Sequence, residues 1–81
     1  MTYREQIEKR ICRRMAKLAA ENLTLEQIQD RHYRAYNWYY AMVMDNPERA
    51  CGSLIEDKAF EVNALARLAA SRGIVIKEVR I

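Results

Sequence analysis

Glycine occurs twice, cysteine twice, proline once and histidine once in the 81 residues, and these scarcities exclude several classes of protein. So little turn punctuation leaves a many-stranded β fold nowhere to reverse its chain. Cys12 and Cys51 have no C-x-x-C or C-x-x-H partner, so neither a disulfide framework nor a zinc site is expected; they read as reduced thiols of a cytoplasmic protein. No apolar run approaches the ~18–20 residues that span a bilayer. The polar stretch from Met1 to Gln6 has no signal-peptide core. Phosphate-binding loops, dinucleotide-binding glycine patterns and nucleophile elbows are all missing. His32 sits on an apolar helix face with Glu26 and Asp30 close in sequence, but a general acid or base also needs a cleft and an oriented partner. The expectation for His32 is a core histidine with one hydrogen-bond partner. The chain reads as no enzyme, with no metal or cofactor.

What is present is helical periodicity. The length allows a single domain, residues 1–81, and a chain this short buries only roughly 60–65% of its unfolded surface. Thr2 and Glu5 form a capping-box pattern, and Tyr3, Ile7, Ile11, Met15 and Leu18 follow at steps of four and three, predicting a helix over about 3–21. Asn22 suits a left-handed stop. Thr24 and Gln27 make a second capping box, with Leu23 and Ile28 at the positions of a hydrophobic staple. The helix they open runs to about Asp45, and Leu25, Ile28, His32, Ala35, Tyr39, Met42 and Val43 share its main face. Asn46 and Pro47 end it. After a link to Gly52, Ser53 and Glu56 offer a third box, and Ile55, Ala59, Val62, Ala66 and Ala69 form an alanine-rich stripe that Gly73 terminates. Phe60, Ala64 and Leu68 line the opposite face, as a second core contact or as an interface.

Residues 74–81 change period. Ile74, Val75, Ile76, Val79 and Ile81 surround Lys77, Glu78 and Arg80, a β-branched run that predicts a strand with Val75, Lys77, Val79 and Ile81 on one face. No other segment can pair with it, so its ladder is expected to close between chains or with a partner. The fold class is mainly α: three helices, the second central and aromatic, with a C-terminal strand for oligomerisation.

Two surfaces stand out. Residues 1–21 hold six basic and three acidic side chains, and the remainder holds eight of each, so the first helix carries the whole net charge of +3. Lys9, Arg10, Arg13, Arg14 and Lys17 cluster beside its apolar stripe, suited to nucleic acid, to an acidic partner or simply to solvent. The second helix holds five of the seven aromatics. Tyr33, Tyr36, Trp38, Tyr40 and Met44 cannot all face one core, and tyrosine and tryptophan are the currency of interface hot spots. Residues Leu23 to Ile28 resemble the opening of a helix in many helix-turn-helix proteins. The helix then continues for about twenty residues without the expected turn and recognition helix, so membership of that family does not follow.

These features point to a small protein-interaction module, a homodimeric regulator or inhibitor of the accessory or phage type that binds another protein. Nucleic-acid binding through the first helix is the alternative, and no membrane partner is expected.

Overall fold

The computed structural model describes residues 2–45 and 53–79. It contains α1 (Tyr3–Ala20), α2 (Leu25–Asp45) and α3 (Ser53–Ala70). A turn over 71–73 follows, and then a segment over 74–79 that belongs to no helix or ladder. The link from Pro47 to Gly52, the side chain of Ser53, and Arg80 and Ile81 lie outside the described residues.

The helix ends form where local chemistry directs them. The Thr2 hydroxyl accepts the Glu5 N–H at 3.2 Å. At the start of α2 the capping box is reciprocal: Thr24 N–H donates to Gln27 Oε1 at 2.9 Å and Gln27 N–H to Thr24 Oγ1 at 3.2 Å. Asn22 adopts φ 54° and Gly73 φ 91°, the left-handed conformations that let a chain leave a helix. Beyond Gly73, the Ile74 N–H reaches back to the Ala69 carbonyl at 3.1 Å.

The packing corrects one expectation. The central helix is α3: α1 and α2 each pack against it and hardly against each other. Both faces of α3 are buried, Ile55, Ala59, Val62, Ala66 and Ala69 together with Phe60, Ala64 and Leu68. The second set is therefore core rather than interface. Alanine on α3 lets neighbouring backbones approach closely, which α2, with its bulky rings, cannot offer on so many sides. From α1 the core receives Ile7, Ile11 and Leu18, and from α2 Ile28 and Ala35. His32 is buried beside them.

Candidate functional site

The aromatic helix divides in two. Buried residues occur on α2 only as far as Ala35, and none lies between Tyr36 and Asp45. Tyr33, Tyr40 and Met44 form a stripe that is 68%, 55% and 64% exposed. Tyr36 is half-buried beside it and stacks on both His32, at 5.7 Å between ring centroids, and Tyr40, at 6.2 Å. Trp38 lies well round the helix, where the Lys58 ammonium sits 5.3 Å from its ring centroid. Four of the five expected partner-binding residues thus share one side, and Trp38 is turned toward α3.

On the other side of α3, Arg10, Arg13, Arg14 and Lys17 line an open groove of ≈ 300 Å³ with Glu56, Asp57 and Phe60. Arg14 pairs with Asp57 at 3.2 Å, and the Arg10 guanidinium lies 5.8 Å from the Phe60 ring centroid. Lys9 is exposed and does not line the groove. Two carboxylates face four cations, so the positive field there is partly cancelled. The groove belongs to α1 and α3 and the exposed rings to α2, so the two sets do not form one nucleic-acid platform in which phosphates and stacked bases are held together.

The C-terminal segment is held by side chains. No strand occurs among the described residues. Instead Asn63, 5% exposed, donates its amide to the Val79 carbonyl at 2.9 Å and accepts the Val79 N–H at 2.7 Å. Its amide thereby imitates a neighbouring strand. Nε2 of His32 lies 2.6 Å from the Lys77 carbonyl. A carbonyl only accepts, so Nε2 carries the proton and donates. His32 is thus the core histidine with one partner that its position suggests, and Asp30 is engaged by Arg34 at 3.3 Å. The expectation that the segment could not be satisfied within its own chain therefore fails at Lys77 and Val79, because two helix side chains stand in for a strand. Val79 also leaves its expected face: it is half-buried against the core, while Val75 is 90% exposed and Lys77 is exposed.

Arg67 clamps the same region. It binds Glu8 through two bonds of 2.6 and 3.0 Å and Glu78 through Nε at 3.1 Å, tying α1, α3 and the C-terminal segment together. Its hydrogen bonds hold the Glu8 carboxyl below the usual range, and Glu8 in turn raises the guanidinium above its own. Sequence reasoning missed Asn63, Arg67, Glu8 and Glu78. The available signal was Asn63, a lone amide between Val62 and Ala64 in an otherwise apolar run, which must find partners if buried.

Among the described residues, no cluster of three or more metal-ligating side chains occurs and no helix is long and apolar enough to cross a membrane. No protein-family model, curated protein or solved structure matches the chain.

Proposed function

We propose that this chain is a small protein-interaction module, a homodimeric regulator or inhibitor that acts by binding a partner protein through the outer half of α2. The observation that carries this reading is the run from Tyr36 to Asp45, rich in aromatic and aliphatic side chains and without a buried residue. A helix apolar on several sides is normally central or covered, and here α3 holds the central place. Asp45 is the only charged residue of that run, so the partner that fits is a protein with an apolar groove rather than a polyanion. The C-terminal segment, with β-branched Val75 and Ile76, serves as the strand that joins two copies.

The test is comparative capture after nuclease treatment, using the wild-type chain and a Tyr40→Ser/Met44→Ser variant of equal helical circular dichroism. Protein held by the wild type and lost from the variant supports the reading; identical capture by both rejects it. The groove beside Arg10, Arg13 and Lys17 supports a second reading, nucleic-acid binding. Replacing Arg10, Arg13 and Lys17 by glutamine should then weaken binding to all sequences and flatten its dependence on salt. No binding to duplex DNA or RNA at low salt would end it.

A further inference from the structure

The exposed stripe of α2 ends in a notch. Tyr33, Tyr40 and Met44 follow at steps of seven and four, and the helical pitch sets the uncharged Gln29 and Asn37 among them. From Tyr33 to Met44 the helix rises about 16 Å, roughly three turns. At the Tyr33 end the C-terminal segment lies beside the helix, and an open groove of ≈ 250 Å³ is lined by His32, Tyr33, Tyr36, Ile76 and Lys77. Three of these walls are rings and one is aliphatic, so the notch suits an apolar side chain. Nε2 of His32 donates to the Lys77 carbonyl at 2.6 Å, which fixes the backbone that carries the ammonium group at the rim.

Charge decides what fits beside that anchor. Asp30 and Arg34 border the stripe and pair with each other at 3.3 Å. Glu78, next to Lys77 in sequence, is held by Arg67 at 3.1 Å, and Asp45 stands at the opposite end of the stripe. Lys77 is exposed and makes no salt bridge among the described residues. The groove end of the surface therefore carries one unbalanced positive charge against apolar walls. A lone ammonium gives little hold on a polyanion, whose affinity grows with the number of phosphates neutralised. Among protein surfaces it discriminates: a carboxylate beside an apolar anchor is attracted, and a cation there is repelled.

We infer that the protein bound by α2 places an apolar side chain in this notch with an aspartate or glutamate beside it, whose carboxylate meets Lys77. The inference rests on the reading of α2 as the partner-binding surface and deepens it: the apolar groove that receives Tyr40 and Met44 is acidic at the end that meets Tyr33. Lys77 thereby sets which partners are accepted and in which direction they lie along α2.

The probe is a displayed library of randomised helical peptides, panned against the full wild-type chain and against Lys77→Glu, at equal helical circular dichroism. The wild type should enrich apolar residues at steps of three and four with Asp or Glu at one end, and Lys77→Glu should enrich Lys or Arg at that same position. The acid-bearing peptides should bind Lys77→Glu about tenfold more weakly, and on the wild type they should shift the NMR signals of Tyr36, Ile76 and Lys77. The same charge preference on both chains overturns the inference, and loss of those peptides from Tyr40→Ser/Met44→Ser would then leave the α2 surface standing. Peptides that this double variant holds as tightly as the wild type overturn both. A library from which nothing is enriched overturns the inference and leaves the α2 surface to the capture experiment. Displacement of the peptides by single-stranded RNA, or a wild-type dimer that the double variant breaks, would give the face to a nucleic acid or to a second copy and overturn the inference as well.

Discussion

The two halves of α2 differ in a direction opposite to their hydrophobic content. Leu25 to Ala35 carries one tyrosine, Tyr33, and no tryptophan or phenylalanine, and supplies Ile28, His32 and Ala35 to the interior. Tyr36 to Asp45 carries four aromatics with Met42, Val43 and Met44, and supplies nothing that is fully buried. Burial is set by what another element can cover, and α3 covers the first half. Apolar surface left over after a small domain has closed is available for association.

The largest expected contrast is in stability. Ile28→Ala empties space within the packed core and should cost about 2–5 kcal/mol, whereas Tyr40→Ala should cost no more than about 1 kcal/mol because it removes a largely exposed ring whose one aromatic contact is its stacking on Tyr36. Denaturant unfolding measures both. If Tyr40→Ala costs as much as Ile28→Ala, the outer half of α2 belongs to a core and the contrast between the halves collapses.

An intermediate effect is expected at Asn63. Asn63→Ala leaves both backbone groups of Val79 without their partner, which should cost about 1–3 kcal/mol. It should also raise amide exchange at Val79 while leaving the amides of α1 and α2 protected. Uniform loss of protection would mean that the segment is not a separable latch but part of the same cooperative unit as the first half of α2.

The smallest effect concerns Glu8 and Arg67. Both side chains are partly exposed, so solvent screens the pair and its contribution is small. The folded Glu8 pKa is depressed, so its contribution is complete above the unfolded carboxyl value of about 4.3 and fades as the pH falls through the folded value. Glu8→Gln should therefore lower stability at neutral pH and leave it nearly unchanged at pH 2, as read by thermal melts at the two pH values. An equal loss at both would assign the effect to packing.

Sequence alone determined the three helices, the caps of α1 and α2 and the stops at Asn22 and Gly73, because these depend on residues three or four apart: Thr24 with Gln27, Asn22 after Ala20, Gly73 after Ala70; the expected box at Ser53 and the stop at Asn46 and Pro47 lie outside the described residues. It also placed Tyr33, Tyr40 and Met44 on one stripe and put Arg10, Arg13, Arg14 and Lys17 side by side, since a helical wheel needs nothing beyond its own pitch. The tertiary structure alone decided that α3 rather than α2 is central, that Phe60 and Leu68 are core, and that Asn63 and His32 hold the chain at Val79 and Lys77. Those contacts join residues 16 and 45 positions apart, and they depend on which helix faces can approach closely. The two apolar faces of α3, one of them rich in alanine, settled that competition against a helix with more aromatic bulk than its neighbours can enclose.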